Sequence, residues 1–325
     1  MSPEPLVLGL SYMPYAARPA VEGARAAEAA GFGAFGLPDS PILWSGLFTT
    51  LAACVSATST ISAGTHVTNP VTRHWTTTAA EFRTLEELAP GRTFAGIGSG
   101  DGAVYGIGRK PARATELEAA IEELRKAAPP GLPIQVAAGG PKMAAVAGAT
   151  RSDLILGTGV ERLAIDELTT AADEGREAAV ERWLLLIFNL AEDETSVDRA
   201  REEIRASVVA YARHSLATRL SVAHVPPEIA SELGPALQEY DFHAHARPGG
   251  SANAHLLNAL SPKATAYLER RYSVIDTPER AAERLVEIAE KTGIHKFWLA
   301  CNVHEPAGVM RLAGARMVPR LSVAA

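Results

Sequence analysis

The sequence predicts an α/β fold, a (β/α)8 TIM barrel, on three observations. Short apolar runs, each the length of a buried parallel strand, recur eight times along the 325 residues. Between them lie longer Ala-, Glu- and Arg-rich stretches with helical spacing. Glycine or proline punctuates the joins, at Gly31, Gly91, Pro129–Gly131 and Gly293. Eight strands alternating with helices is the count of a closed barrel.

The strands are read at Leu6–Leu10, Ala34–Leu37, Ile61–Val67, Thr93–Ile97, Pro133–Ala137, Asp153–Gly157, Trp183–Leu190 and Lys296–Cys301. Each is apolar on both faces rather than alternating, as strands covered on both sides must be. The helices between them fall at Arg18–Ala30, Leu43–Ala57, Trp75–Leu88, Ala114–Ala127, Lys142–Ala149, Glu161–Glu174 and Pro278–Thr292. The competing architecture is an open doubly wound sheet. Two features weigh against it. The first βα turn, Ser11-Tyr12-Met13-Pro14-Tyr15, has no glycine fingerprint, and Gly96-Ile97-Gly98-Ser99-Gly100 has G-x-G-x-G spacing, which is not the dinucleotide pattern. One segment, residues 196–272, breaks the rhythm with helical pattern and no buried strand. It is read as a helical insertion between strands seven and eight that shapes a substrate pocket within one domain spanning 1–325.

Composition excludes several classes. The hydrophobic fraction is 47% and the charged fraction 21%, enough for a large core. Net charge is −6, so no general basic surface attracts nucleic acid. No apolar run is long enough to cross a bilayer. The opening MSPEPLVLGL lacks the basic region and cleavage site of a signal peptide, and the expectation is a cytoplasmic protein. Two cysteines, Cys54 and Cys301, make neither a disulfide framework nor a zinc site.

In a barrel, reactive groups belong at the C-terminal ends of strands. Asp39 follows the second strand, either as a base or ligand-binding carboxylate or as a helix cap, with Trp44 near enough to cover a planar ring. His66 ends the third strand beside Val67, Thr68 and Asn69, as a proton carrier or as a buried, satisfied histidine. Asp101 follows Gly100, whose missing side chain allows close backbone approach, and it lies too far from Ala114 to cap the helix there. Ala137-Ala138-Gly139-Gly140-Pro141 leads a strand into a helix N-terminus, whose unpaired amides form an anion site unless this is merely a tight turn; Lys142 adds a charge or is simply solvated. The eighth strand ends near Asn302 and His304. Asp241, His243 and His245 are too sparse for a metal site, so none is expected. They join Tyr211, Arg213, His214 and Tyr240 as unassigned polar and aromatic groups of the insertion.

At these residues the sequence resembles the luciferase-like superfamily of flavin- and deazaflavin-dependent oxidoreductases. Within it, the likeness is to the methylenetetrahydromethanopterin reductase and deazaflavin-dependent glucose-6-phosphate dehydrogenase branch. Gly36–Ser40 with Trp44, Val67–His74, Leu85–Arg92, Gly96–Asp101 and Ala137–Pro141 carry it. The resemblance implies a barrel, often a homodimer, holding the cofactor ring over the C-terminal rim. It implies a non-prolyl cis peptide at His66–Val67, Asp39 and Trp44 at the cofactor, Asp101 as proton donor and a phosphate at the Gly139-Gly140 turn. Ser40 stands where the dehydrogenases have histidine, and His66 where the family has a small residue.

The functional expectation is an oxidoreductase using coenzyme F420 to move hydride to or from a small organic substrate, with Asp101, His66 and Asp39 as catalytic candidates. The cofactor-binding expectation covers Asp39, Trp44, His66, Val67, Thr68, Asn69, Gly100, Ala137, Ala138, Gly139 and Gly140. The alternatives are a monooxygenase taking reduced FMN from a separate flavin reductase, and a non-catalytic partner subunit of the same fold.

Overall fold

The computed structural model describes residues 4–176, 179–217, 219–220, 224–244 and 252–323. Its strands are β1 (Val7–Ser11), β2 (Ala34–Leu37), β3 (Ser62–Thr68), β4 (Thr93–Ile97), β5 (Ile134–Ala138), β6 (Asp153–Leu156), β7 (Arg182–Leu190), β8 (Ser273–Asp276) and β9 (Lys296–Ala300). All pairings are parallel, and β6–β7 closes the sheet. The barrel runs β1 to β7 in order and returns to β1 through β9. The (β/α)8 expectation is met.

One detail of strand count is corrected. The insertion delivers a short additional strand, β8, just past residue 272, so the last barrel strand is the ninth in the chain. β7 is nine residues long. Its first three residues pair with β6, while Ile187–Leu190 outrun that neighbour and pair with β8. Backbone groups there need partners, and β8 supplies them.

Helices cover the sheet outside, and their apolar faces fill one continuous core that includes Phe35, Leu51, Phe82 and Leu285. Inside the barrel a smaller cluster gathers Phe94, Ile155, Trp183 and Trp298. Trp298 is fully buried, its ring nitrogen donating to Gln135 Oε1 at 3.1 Å. Glycines make the room: a Cβ on Gly9 would stand 2.6 Å from the Trp298 ring, and one on Gly36 would stand 2.5 Å from His66 Cβ. The aromatic layer therefore floors the space above it, at the C-terminal end of the strands.

Within the insertion, helix 205–216 packs against the barrel. Ser207 Oγ accepts from Asn302 Nδ2 at 3.2 Å, and Ser215 bonds the Tyr272 hydroxyl. Of the Asp241, His243 and His245 group read in the sequence, His245 lies outside the described residues. Among the described residues no helix is long and apolar enough to cross a membrane.

Candidate active site

A cavity of about 260 Å³ opens at the C-terminal rim. Asp39, Trp44, His66, Val67, Asn69, Gly100, Asp101, Ala137, Ala138 and Gly139 all line it, so the rim brings together most of the residues expected from sequence. Thr68 stands behind the wall, bonded to Asp39, and Gly140 caps the following helix. Tyr211 and His214 of the insertion and Asn302 after β9 complete the lining.

Asp39 is set by β2, whose carboxyl end carries it into a buried position. Its Oδ2 accepts from Arg73 Nε at 2.7 Å and from the Thr68 hydroxyl at 2.8 Å. Arg73 in turn lies 5.2 Å over the Phe48 ring. The carboxylate is thus paired and hydrogen-bonded, the condition under which a buried charge is tolerated. Among the described residues no hydrogen bond engages Oδ1.

The third strand ends in an irregularity. The His66–Val67 peptide is cis, as the resemblance implies, and the β3–β4 register shifts between Thr65 and Thr68. The neighbouring glycines explain the G-x-G-x-G run. A Cβ on Gly96 would lie 2.2 Å from Thr65 O, and one on Gly98 would lie 3.1 Å from Val67 Cγ2. Gly100 adopts φ 91°, a left-handed conformation that favours glycine. These glycines clear space for the β3 irregularity and turn the chain.

Directly after Gly100 comes a short helix, Asp101–Tyr105. Asp101 is therefore in the first turn of a short helix of its own, and, as expected, far from the helix that begins at Ala114. Its Oδ2 lies 3.1 Å from Nδ1 of His214. Phe242 fastens this helix to the insertion, stacking on Tyr105 with ring centres 4.8 Å apart, while Arg213 lies 5.2 Å over the Phe242 ring.

His66 is buried, its ring 4.4 Å from that of Trp298. Burial pushes its pKa down to about 3, so the imidazole is neutral across ordinary pH. Burial also drives the Tyr211 and Tyr240 hydroxyls well above the usual tyrosine range, with Asp101 adding to the effect on Tyr240. Both phenols are protonated donors.

At the fifth strand, Gly140 caps helix 141–149, with Pro141 in its first turn. The sequence-adjacent Lys142 is exposed. The cation at this turn is instead Arg219, from the end of the insertion's helix 205–216. Its Nη1 donates to Gly139 O at 3.0 Å and its Nη2 to Glu167 Oε2 at 2.5 Å. Sequence reasoning missed Arg219 because no local signal ties it to β5. Asp241 and His243 lie together, the His243 amide donating to Asp241 Oδ1 at 2.8 Å. Among the described residues no group of three or more His, Cys, Asp or Glu is gathered for a metal.

Two polar atoms at the cavity, Ser40 Oγ and His66 Nε2, are buried without a hydrogen-bond partner among the described residues. Buried polar atoms are rarely left so. A ligand carrying polar atoms at its edge would satisfy them. The volume is close to the lower end of ordinary small-molecule sites, roughly 300 Å³.

Residues 7–127 match the family described as luciferase-like monooxygenase. A 5,10-methylenetetrahydromethanopterin reductase from Methanolobus tindarius is 24% identical over 273 residues, covering 75% of this chain and 78% of that protein. Among solved structures, the coenzyme F420-dependent tetrahydromethanopterin reductase from Methanopyrus kandleri superposes with a TM-score of 0.75 at 18% identity, over 98% of this chain and 100% of that one. An F420-dependent secondary alcohol dehydrogenase bound to an F420–acetone adduct gives 0.71 at 17% identity, over 98% and 99%. The resemblance read from the sequence is borne out.

Proposed function

We propose, from a luciferase-like barrel with a polar-edged slot at its C-terminal rim, that this chain is an oxidoreductase that binds coenzyme F420 and moves hydride to or from a small organic substrate. The observation that carries the reading is the composition of the slot. On the β5–β6 side its wall is Ala137, Ala138, Gly139, Ile155 and Gly157, mostly residues with little or no side chain, so a planar ring can lie close to backbone. On the opposite side stand Asp39, Ser40 and His66, two of them with unpartnered polar atoms. The likeness to F420-dependent reductase and dehydrogenase structures supports deazaflavin as the ring.

When bound, the deazaflavin supplies the hydride chemistry, and the protein supplies orientation and protons. Asp39, held by Arg73 and Thr68, and the Ser40 hydroxyl meet the polar edge of the ring. Trp44 closes over it, edge-on to Tyr15 at 6.4 Å. Val67, Asn69 and Gly100 form the back of the slot, with Thr68 behind them holding Asp39. His66, being neutral, serves as wall and hydrogen-bonding partner rather than proton carrier. Asp101 handles the proton. The Gly139-Gly140 turn and Arg219 hold the phosphate, where helix amides and a guanidinium favour an anion. The insertion, residues 196–272, shapes the substrate side of one domain, and two copies of the chain form a homodimer.

A second reading rests on the match to a family described as luciferase-like monooxygenase: reduced FMN, delivered by a separate reductase, reacting with oxygen. Anaerobic fluorescence titration with oxidised and reduced F420 and FMN separates the two. The deazaflavin reading expects micromolar F420 binding with FMN at least tenfold weaker. Preference for reduced FMN overturns it.

A further inference from the structure

We propose that a patch of apolar side chains beside the cavity mouth binds the body of the substrate, and that the substrate has an apolar, aromatic body of which only the reacting end enters the cavity. The inference rests on the oxidoreductase reading above and deepens it. Among the described residues five large apolar side chains are exposed, and three of them, Ile42, Tyr105 and Ile107, at 45%, 41% and 42%, stand together. A Cβ on Gly106 would lie 2.6 Å from Ile42 Cδ1, which places the tip of Ile42 against the turn that joins Tyr105 to Ile107. Apolar side chains exposed singly need no explanation, but a group drawn from two separate loops marks a place where something apolar sits.

The patch is continuous with the cavity. Ile42 lies between Ser40 and Trp44, and Tyr105 two residues beyond Ala103; Ser40, Trp44 and Ala103 all line the cavity. Rings of the insertion extend the patch. Phe242 stacks on Tyr105 with centres 4.8 Å apart, and Tyr240 meets Phe242 edge-on at 5.2 Å. Such a run of rings favours a further ring beyond the area it buries. Size decides which part of a substrate reaches it. The cavity, about 260 Å³, falls just under the range of ordinary small-molecule sites, roughly 300–1,000 Å³, and the cofactor ring takes part of that space. What remains admits a reacting group, so the rest of the molecule stays at the mouth. A charged or sugar-like body gains nothing from isoleucine there, whereas an apolar body removes both surfaces from water together.

The probe is N-phenyl-1-naphthylamine, a neutral aromatic fluorophore that brightens on leaving water, titrated into the protein with and without saturating F420. It is expected to bind in both cases. Ile42→Ser and Ile107→Ser, at exposed positions the fold tolerates, are each expected to weaken binding about fivefold, the value of little more than one buried CH₂. Leu88→Ser, at an exposed leucine on the C-terminal end of helix 75–88, is expected to leave it unchanged. Equal affinity in wild type and both isoleucine variants, or an equal loss in Leu88→Ser, overturns the site. Complete displacement of the fluorophore by F420 overturns it too, by placing the probe in the ring cavity. So does wild type that takes up no fluorophore; if Ile42→Ser/Ile107→Ser then also breaks an assembly seen in sedimentation velocity, a second copy of the chain is what covers the patch. Failure to bind F420 overturns the oxidoreductase reading alone, since the fluorophore series without F420 still decides the patch.

Discussion

Replacing Arg73 by methionine tests whether Asp39 is held as half of a charge pair. The Asp39 side chain is 2% exposed and that of Arg73 is 21% exposed. Removing one partner of a buried pair costs about 3–5 kcal/mol, because the other charge is left uncompensated. The partial exposure of Arg73 lets some water reach the site, which places the expectation near the lower end, about 3 kcal/mol. Methionine keeps much of the stem that packs on Phe48, so the loss is mainly one of charge. Unfolding entropy of about 2.1 cal/mol/K per residue amounts to roughly 0.7 kcal/mol/K for 325 residues, and the expected fall in Tm is roughly 4 °C. The double variant Asp39→Asn/Arg73→Met removes both charges and leaves the Thr68 hydroxyl a partner. It is expected to lie within about 1 kcal/mol of wild type, and so about 2 kcal/mol more stable than Arg73→Met. Urea denaturation with an unchanged slope measures each value. A single variant within about 0.5 kcal/mol of wild type, or a double variant no more stable than Arg73→Met, refutes the charge-pair argument.

Two further outcomes are expected. His66 has a folded-state pKa pushed down to about 3, below its unfolded value of about 6.5. The unfolded chain therefore takes up a proton that the folded chain refuses, so this histidine costs no stability above about pH 6.5 and destabilises progressively as pH falls from there towards 3. His66→Phe, which keeps a ring against Trp298, should flatten that acid slope by an amount on the order of a few kcal/mol; a slope identical to wild type between pH 7 and 4.5 shows the histidine does not carry it. At the Gly139-Gly140 turn, Arg219→Met should weaken F420 binding about tenfold, the size of a lost charge-assisted hydrogen bond. The phosphate-free deazaflavin nucleoside should bind the variant and wild type equally; equal weakening of both ligands rules out a phosphate role for Arg219.

What the sequence made legible divides along a physical line. Strands β1 to β7 and β9 stood out because a barrel strand is covered on both faces and reads as an unbroken apolar run. The placement of Asp39, His66 and Asp101 at the rim then followed from where those runs end. β8 did not stand out: Ser273-Val274-Ile275-Asp276 has two apolar residues and exists because β7 outruns β6, a fact of pairing rather than of composition. The glycines 96, 98 and 100 were visible, but their purpose was not, since it depends on Thr65, Val67 and Asn69 approaching across strands. Lys142 was the cation nearest in sequence to the Gly139-Gly140 turn, yet it is exposed and Arg219 arrives there from the insertion.

His214 and Tyr211 left a faint trace, as polar groups three apart among Val208, Val209, Ala210 and Ala212. Nothing local joined them to Asp101. The contrast follows from how the fold is built. Residues proposed to meet the cofactor sit mainly on strand ends, whose position the barrel fixes, whereas those proposed to meet the substrate come from rim loops and an inserted segment held by long-range contacts. Cofactor chemistry is accordingly the more legible part of this chain. Substrate chemistry becomes legible only when helix 205–216 is seen lying over the rim, and it is there that variants will change what the enzyme accepts while leaving the binding of the ring intact.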